Sequence, residues 1–561
     1  MRFKIFTFTL LTLVANASLL AQTDHAWIGT GKVRARITPT GIHRDTEGGF
    51  LLESGIPGQP AKNLLSHLTP WVGGIDPGNN LKLACEMDNP LVSDWQAGFR
   101  GVPNSGKVWK VTIEQIAAHI KDYEDNGIVD NPIPEIFAWP GFGNPFSEDY
   151  NGFSTDSLYT LARPPFYNNS ADGTYNPDQG DYPGRPELGS FPKYPKEMVF
   201  APFYDNGENN LTHAKGIDLD AHLFAFTLDC HGQDFLENTI FFEFGRYYNS
   251  GVDRLDSLFW GIYADFDIGN PDDDYLGCVN EDKREMVFCY NSDTLNDNII
   301  GANPPTLALM SLKGPFDVDF NPIQMSNVGM FFNNQGGGTG NPTSPNQFFN
   351  YLTGTWADGT PITNGGTGYN PGMPSATPTK FLFTDDPTDP NGWSELAENN
   401  PHRNRSCVVS YGPTVLNSHY ISYPLKFALT VSDKVGLTEQ LQHFTEMRDL
   451  QQYIYHYCWD CPNPLDSLCI NPVAVKEIEP ITRIAPNPTH DFISLQTPKI
   501  DIEDIIMVNA LGQMVSIEPS HFVNEHEATI TISLKNLPVG VYFLQWFSKD
   551  GQHGCEKVVK N

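Results

Sequence analysis

The stretch DSLFWGIYADFDI (256–268), with AHLFAFTLDC (221–230) and NTIFFEFGRYYNS (238–250) before it, decides the fold. Apolar and polar residues alternate along each segment, and Phe and Tyr are frequent, which is typical of β-strands whose successive side chains point to opposite faces. Similar runs follow as REMVFCYN, LALMSL, SCVVSYG and LKFALTVS. Strands of this length joined by turns favour antiparallel pairing. We therefore predict a mainly β chain with an antiparallel β-sandwich body.

Two segments with helical spacing predict a few helices packed on this body. Residues 112–122, TIEQIAAHIKD, begin with a Thr-x-x-Gln capping pattern and place four apolar residues on one face. Residues 437–457 repeat apolar side chains at helical intervals, and we expect Thr438 to cap their first turn.

A polar, glycine-rich excursion covers residues 333–380 and predicts a long surface loop. Four aromatic residues in or near it could offer exposed surfaces on which sugar rings stack: Tyr351, Trp356, Tyr369 and Trp393. Such isolated aromatic residues also serve as packing residues, and the sequence leaves both roles open.

The charge of the chain limits its partners. There are 67 acidic and 35 basic residues, for a formal net charge of −32. Nucleic acids and anionic membranes would repel so acidic a protein, which argues against both as partners. The balance suits a solvated extracellular protein and also suits calcium binding.

The first residues predict a signal peptide over 1–21. Arg2 and Lys4 precede a short apolar run, and small residues lead to a cleavage site after Ala21. The run is shorter than the roughly 20 residues that span a bilayer. No other segment is apolar for long enough, so we predict that the mature chain is not an integral membrane protein.

The last residues, 482–561, predict a separate small domain. Several short alternating runs are broken by turn residues and no long helix intervenes, which favours a small immunoglobulin-like β-sandwich. The predicted organisation is therefore a signal peptide (1–21), a β-rich body of one or two subdomains (22–470), a linker (471–481) and this domain.

The final domain resembles the type A C-terminal sorting domain of the type IX secretion system of Bacteroidota. The resemblance rests on elements in the order and spacing of that family, namely Pro486, Asn487, Pro488, Gly512, Leu537, Gly540, Tyr542 and Lys557. It implies that the translocon and sorting machinery of that system are partners. It also implies that the cargo is released or attached to surface lipopolysaccharide, so we expect a secreted or outer-surface location.

The body resembles the N-terminal region shared by many cargo proteins of the same system. The similar stretches include TPWVGGIDPGNNLKLAC (69–85), KVWKVTIEQIAAH (107–119), DGTYNPDQGDYPG (172–184) and HRNRSCVVSYGP (402–413). That region has no assigned activity, so the resemblance supports a surface protein and does not indicate its chemistry.

Nine cysteines are compatible with disulfides on an oxidising export route. Cys458, Cys461 and Cys469 lie close together, and we expect a structural disulfide among them. Zinc binding would need a second cysteine pair, and a thioredoxin-like role would need a βαβ context that the sequence does not show.

The strongest candidate site is an acidic stretch, residues 265–274, that follows directly on a predicted strand. Hard cations such as calcium take six to eight oxygen ligands, and clustered carboxylates on a tight loop suit them. The predicted ligands are Asp265, Asp267, Asp272 and Asp273. The spacing departs from an EF-hand, because Gly269 is at the fifth position and Leu276 stands where Glu is required. A solvated acidic turn is the alternative.

A second stretch, residues 172–183, repeats Asp and Asn through a turn-rich loop. We predict that Asp172, Asn176, Asp178 and Asp181 bind calcium there. Asp-Gly and Asn-Pro are also good turn formers, so a purely structural turn is the alternative.

The sequence contains no nucleophile elbow, zinc-protease helix, phosphate loop or dinucleotide fingerprint. We therefore predict a non-enzymatic, calcium-stabilised surface protein with a structural or adhesive role, with lipopolysaccharide or glycans as its partners. The alternative is a secreted hydrolase acting on polysaccharide or protein, because paired carboxylates are frequent in so acidic a chain.

Overall fold

The structure is a computed structural model of the 561-residue chain. It describes residues 22–54, 59–156, 164–184, 195–205, 207, 209–228, 234–248, 254–281, 284–291, 300, 303–317, 321–333, 335–373, 375–417, 421–457, 483–486, 488–498, 502–509, 514–515, 517, 519–523, 527–548 and 553–561. The predicted signal peptide (1–21), the linker (471–481) and the cysteine cluster at 458–469 lie outside the described residues. The chain forms two compact units, of which the larger ends at Gln452 and the smaller runs from Tyr453 to Asn561.

Antiparallel strands dominate the larger unit. They are β1 (Gln22–Thr23), β2 (Ala26–Gly29), β3 (Val33–Thr38), β4 (Gly41–His43), β5 (Phe50–Leu52), β6 (Lys62–Ile75), β7 (Leu81–Ala84), β8 (Trp95–Ala97), β9 (Val108–Thr112), β10 (Phe166–Tyr167), β11 (Tyr182–Pro183), β12 (Glu197–Asp205), β13 (Leu219–Thr227), β14 (Thr239–Tyr248), β15 (Arg254–Phe266), β16 (Asp274–Glu281), β17 (Arg284–Asn291), β18 (Thr306–Lys313), β19 (Met325–Phe332), β20 (Arg405–Asn417) and β21 (Ile421–Ser432). Every strand segment predicted from alternation overlaps one of them, which confirms the mainly β, antiparallel prediction.

These strands form two large sheets and one small ribbon. The first sheet has the order β1-β9-β12-β13-β14-β21-β18-β17-β16, with β8 beside β12. The second has the order β19-β20-β15-β6-β4-β3-β2, with β5 and β7 attached to it, and β10 pairs with β11 alone. Consecutive strands β16, β17 and β18 are neighbours, whereas β6 lies beside β15, which follows it by nearly 200 residues.

The two large sheets share one apolar core. Val72 and Trp260 of the second sheet line a cavity of about 20 Å³ together with Phe203, Leu219 and Phe244 of the first. All five side chains are nearly inaccessible to solvent. Burial of apolar surface at this interface stabilises the larger unit by roughly 25 cal/mol per Å².

The described helices range from 4 to 21 residues in length. They are α1 (Ile113–Asn126), α2 (Pro134–Phe137), α3 (Ser147–Asn151), α4 (Asp234–Glu237), α5 (Pro345–Leu352) and α6 (Leu437–Tyr457), with 3-10 turns at Pro177–Gln179 and Gly337–Thr339. The capping box of α1 is confirmed, since the backbone N–H of Gln115 donates to Thr112 Oγ1 at 3.4 Å and Gln115 Oε1 accepts from Thr112 N at 2.9 Å. No helix within the described ranges is long and apolar enough to cross a bilayer.

The predicted cap of the last helix is wrong. Helix α6 begins at Leu437, so Thr438 lies inside its first turn. The chain turns at Gly436, whose φ is +87°, and the carbonyl of Gly436 accepts from Gln440 N at 3.1 Å. Glycine reaches this left-handed conformation without strain, and the turn therefore falls two positions before the predicted one.

The excursion at 333–380 is not a free surface loop, and that prediction is corrected. Its helix α5 buries Phe348, whose ring packs 5.0 Å from that of Trp71 on β6. Trp356 is 1% exposed and its indole N–H donates to the carbonyl of Gly368 at 2.9 Å. The excursion covers the aromatic cluster of Trp71, Tyr263 and Phe331 on the second sheet, because these apolar rings must be shielded from water.

The smaller unit contains β22 (Arg483–Ala485), β23 (Phe492–Pro498), β24 (Ile502–Asn509), β25 (Met514–Val515), β26 (Pro519–Val523), β27 (Glu527–Ser533), β28 (Gly540–Ser548) and β29 (His553–Lys560). They form two four-stranded sheets, β22-β23-β27-β26 and β25-β24-β28-β29. Ile493 and Ile530 of one sheet share a buried cluster with Met507 and Leu544 of the other. The immunoglobulin-like assignment of this unit stays a prediction.

Candidate functional site

A row of polar side chains crosses the second sheet. His43 on β4 lies opposite His67 on β6, and His67 lies opposite Asp265 on β15. Directly opposed residues share one face of a sheet at about 4.5–5.5 Å, so three separate parts of the chain meet here. Ser406 on β20 continues the row, with its Oγ 3.0 Å from Asp265 Oδ1, and Asn333 Nδ2 donates to the same oxygen at 2.9 Å.

Asp88 joins this row from the segment after β7. His67 Nδ1 lies 3.4 Å from Asp265 Oδ2 and 3.9 Å from Asp88 Oδ1. One ligand atom from each of the three residues lies within 4.8 Å of the other two, the only such group of three among the described His, Cys, Asp and Glu residues. Tyr263, two residues before Asp265, donates its hydroxyl hydrogen to Asp88. We call His67, Asp88 and Asp265 the His-Asp-Asp group.

Glu86 holds the segment that carries Asp88 in place. The backbone carbonyl of Glu86 accepts hydrogen bonds from Thr69 Oγ1 at 2.6 Å and from Trp71 Nε1 at 2.7 Å. Its carboxylate lies 2.5 Å from His43 Nε2 and also accepts from Thr40 Oγ1 at 2.7 Å. The other ring nitrogen of His43, Nδ1, is buried and has no hydrogen-bond partner among the described residues.

Burial and like charge shape the electrostatics of the group. Partial desolvation raises the pKa of the half-exposed Asp88 above its usual value, and the neighbouring carboxylate of Asp265 raises it further. Burial, followed by the charges of Asp265 and Asp88, raises the pKa of the Tyr263 hydroxyl well above its usual range. Tyr263 therefore stays protonated at neutral pH and remains a hydrogen-bond donor to Asp88.

The structure separates the four predicted ligands of the 265–274 stretch. Asp265 belongs to the His-Asp-Asp group, whereas Asp267 Oδ2 accepts from Arg44 Nη1 at 2.7 Å and from Ser66 Oγ at 2.5 Å. Asp273 Oδ1 accepts from Asn291 Nδ2 at 2.8 Å, and Asp272 is exposed to solvent.

Asp274 is a residue that the predicted ligand set lacked. Its Oδ2 accepts from the backbone N–H of Ile268 at 2.8 Å, while its Oδ1 is buried and unpartnered among the described residues. Asp267 Oδ1 is likewise buried and has no hydrogen-bond partner among the described residues. Burial raises the pKa of Asp274 well above its usual value, and the charges of Asp267 and Asp273 add to the effect.

The second predicted calcium loop uses its oxygens to fix its own backbone. Asp172 Oδ1 accepts from Thr174 N at 2.8 Å, and Asn176 Oδ1 accepts from Asp178 N at 3.2 Å. Asp181 is buried, and its two oxygens accept from the backbone N–H groups of Asn169, at 2.7 Å, and Asn176, at 2.8 Å. These bonds are those of turn-forming side chains. The structure does not bring the four residues into the His-Asp-Asp group.

The aromatic residues predicted as sugar-stacking surfaces are mostly inside the protein. Tyr351 and Trp356 are each 1% exposed, and Trp393 is 8% exposed. Tyr369 is half-buried and donates its hydroxyl to Asp358 Oδ2 at 2.8 Å. The stacking role is therefore corrected for the three buried residues, whose rings fill the cover of the second sheet.

Four described residues of the predicted sorting signal lie in or just before β28 and β29, namely Leu537, Gly540, Tyr542 and Lys557. Gly540 opens β28 opposite Lys560, and Lys557 on β29 lies opposite Phe543. Tyr542 is buried and donates its hydroxyl to the carbonyl of Pro538 at 2.7 Å, and Leu537 packs against the buried cluster. Pro486 and Pro488 are exposed. Asn487 and Gly512 lie outside the described residues.

Sequence reasoning missed His43, His67, Glu86 and Asp88. His43 and His67 are 24 positions apart, and no metal-ligand spacing connects them to each other or to Asp265. Strand pairing alone brings them together, so a search for local motifs had no signal to find.

Comparison with known proteins assigns the end of the chain. A family model described as the secretion system C-terminal sorting domain matches residues 483–561. No curated protein matches the chain at a significant level. A solved structure titled "Polysaccharide Lyase BACCELL_00875" is similar over 63% of this chain and 36% of its own length, at 7% sequence identity and a TM-score of 0.20. The chain thus spans about a third of that structure, and a TM-score of this size does not establish a shared fold.

Proposed function

We propose that this chain, a type IX secretion cargo by its C-terminal sorting domain, is a non-enzymatic surface protein with a structural or adhesive role. We also propose that bound calcium stabilises its β-rich body. The sorting domain at 483–561 indicates export, with release or attachment at the outer surface, and makes the type IX secretion machinery a partner. Lipopolysaccharide and surface glycans are the partners we propose for the exported protein.

The observation that carries the calcium proposal is a pair of incompletely paired buried carboxylates. Asp267 and Asp274 are at most 6% exposed, and each has one oxygen with no hydrogen-bond donor among the described residues. An ionised carboxylate that is buried without compensation is strongly unfavourable. A bound calcium ion, which takes oxygen ligands at about 2.3–2.6 Å, would supply the missing positive charge and would use these free oxygens.

The placement of these carboxylates favours stabilisation over catalysis. Asp267 follows β15 and Asp274 begins β16, so an ion held by both would connect the two large sheets. Arg44 neutralises only one oxygen of Asp267, and that arginine is itself half exposed. A cation between the sheets would therefore act as a cross-link inside the fold.

Thermal unfolding of the chain beginning at Gln22, in calcium and in excess chelator, tests the proposal. A site filled at 100 times its dissociation constant adds about 2.7 kcal/mol. At about 2.1 cal/mol/K per residue, a body of roughly 430 residues would shift its melting temperature by about 3 °C. We expect Asp274→Asn and Asp267→Asn to abolish this shift, and Asp272→Asn, in the same stretch but exposed, to retain it.

The variant Asp274→Asn also defines the result that would contradict the calcium proposal. Without an ion, burial disfavours the ionised form of Asp274, and a neutral amide of the same shape would then stabilise the fold. A melting temperature that chelator leaves unchanged and that Asp274→Asn raises would contradict the calcium proposal.

A further inference from the structure

We propose that His67, Asp88 and Asp265 form a second cation site, for a single transition metal ion of the zinc class rather than for calcium. It goes beyond the proposed calcium site because its ligands and their chemistry differ. The site would tie β6 and β15 to the segment that follows β7.

The distances suit a small ion with tetrahedral ligands. Zinc lies about 2.0–2.2 Å from nitrogen and oxygen ligands, which places two ligands of one tetrahedral ion roughly 3.3 Å apart. His67 Nδ1 and Asp265 Oδ2 are 3.4 Å apart, and His67 Nδ1 and Asp88 Oδ1 are 3.9 Å apart. Small side-chain movements would complete the geometry.

The donor set argues for a transition metal. Calcium is bound by oxygen ligands alone, whereas an imidazole nitrogen is a preferred ligand of zinc and its neighbours in the first transition row. One imidazole and two carboxylates give a mixed set that suits these ions. The three protein ligands leave the fourth position of a tetrahedral ion to water or a bound anion.

The hydrogen bonds around the group are arranged as outer partners of metal ligands. Ser406 and Asn333 both occupy Asp265 Oδ1, which leaves Oδ2 directed towards His67. The hydroxyl of Tyr263 orients Asp88. Such outer partners fix the direction of metal ligands in characterised sites.

A second observation, independent of the three ligands, is the unpartnered nitrogen of His43. The ring of His43 stands edge-on to the ring of His67 with centroids 5.6 Å apart, and its side chain is 4% exposed. Its Nδ1 has no partner within the described ranges. A metal-bound water is the kind of neighbour that would satisfy a buried imidazole nitrogen next to the site.

The charge of the His-Asp-Asp group also favours a bound divalent ion. Within the described ranges, neither Asp88 nor Asp265 forms an ion pair with a lysine or arginine, and both lie close to the imidazole of His67. Two carboxylates that share one imidazole retain negative charge, which a divalent ion would neutralise. The side chain of Asp88 is 45% exposed, against 10% for His67, so an ion would enter from the side of Asp88.

Titration calorimetry with Zn²⁺ tests the site in the chain from Gln22 to Asn561, prepared without a polyhistidine tag. Metals are removed first, and excess calcium is present during the titration. We expect one tight site per chain, and a Co²⁺ complex with the visible absorption of tetrahedral nitrogen and oxygen ligands. His67→Gln and Asp88→Asn should remove this binding, whereas His402→Gln, at an exposed position, should not. Tyr263→Phe should weaken binding about 10-fold, the lower limit for loss of an outer partner.

The controls separate this inference from the calcium proposal. Asp88 is half exposed, so Asp88→Asn tests the site even where His67→Gln disturbs folding, and melting in chelator checks the fold of each variant. Unchanged zinc affinity in both variants, or no tight site in the parent chain, would overturn the inference. Zinc binding that calcium displaces would also overturn it, because the group would then belong to the calcium site.

Discussion

The buried ion pair between Glu395 and Arg405 gives the clearest quantitative prediction about the fold. Arg405 Nη2 lies 2.8 Å from Glu395 Oε2, and both side chains are at most 1% exposed. Arg405 Nη1 also donates to the carbonyl of Asp274 at 2.9 Å, and Glu395 Oε1 accepts from Leu276 N at 2.9 Å. The pair therefore holds the start of β16 at Asp274, whose Oδ1 has no hydrogen-bond partner among the described residues.

Removing one charge of this pair should cost far more than removing both. Burial raises the pKa of Glu395 even though Arg405 and the surrounding donors lower it, so desolvation outweighs attraction at this site. Glu395→Gln leaves Arg405 charged and buried without its partner, which costs about 3–5 kcal/mol. For a body of roughly 430 residues, 4 kcal/mol corresponds to about 4 °C in melting temperature.

Urea and thermal unfolding of the chain from Gln22 would measure this cost. The double variant Glu395→Gln with Arg405→Met removes the isolated charge, and we expect it to be about 1–3 kcal/mol more stable than the sum of the single variants predicts. The exposed pair Arg254–Asp256 is a matched control, since Asp256→Asn should cost less than about 1 kcal/mol. A Glu395→Gln cost no larger than that of the control, or strictly additive single variants, would refute the reasoning.

Two further predictions concern the covered face and the pH dependence of stability. Trp356→Ala should cost about 3–5 kcal/mol in urea unfolding because the side chain is buried in the cover of the second sheet, and a cost below 1 kcal/mol would restore the surface-loop prediction. Burial raises the pKa of Glu285 in the folded chain, so its contribution to stability is complete below the unfolded pKa of about 4.3 and is lost as pH rises through the folded pKa. Glu285→Gln removes this loss, while its amide oxygen can still accept from Met325 N. The free energy of unfolding of the variant, relative to that of the parent chain, should therefore increase from pH 4 to pH 7. A difference that does not change with pH would contradict the assignment.

Strands and helix caps were predicted well from the sequence because residues close together in the chain determine them. Alternation predicted strands such as β13 and β17, since a strand exposes alternate side chains to two environments. The capping box of α1 was predicted for the same reason, because Thr112 and Gln115 are three residues apart. The cover formed by residues 333–380 was missed because its glycine-rich composition is that of a loop, and only the apolar face of the second sheet explains why it is buried.

The candidate sites were predicted only in part because a β-bulge decides which residues meet. Asp265 pairs with His67, but the register shifts immediately afterwards and Phe266 pairs with Leu65. The extra residue, Ser66, then bonds Asp267 while His67 remains beside Asp265.

A bulge of this kind re-aims side chains at one point of a sheet. Alternation along β15 places Asp265 and Asp267 on one face and so predicted a single acidic loop, whereas the bulge in the partner strand gives them different neighbours. Asp265 acquires an imidazole and a second carboxylate, and Asp267 acquires a hydroxyl and a guanidinium. Because the two aspartates differ in partners, the proposed zinc-class site at Asp265 and the proposed calcium site at Asp267 would take different ions, and each proposal can fail without the other.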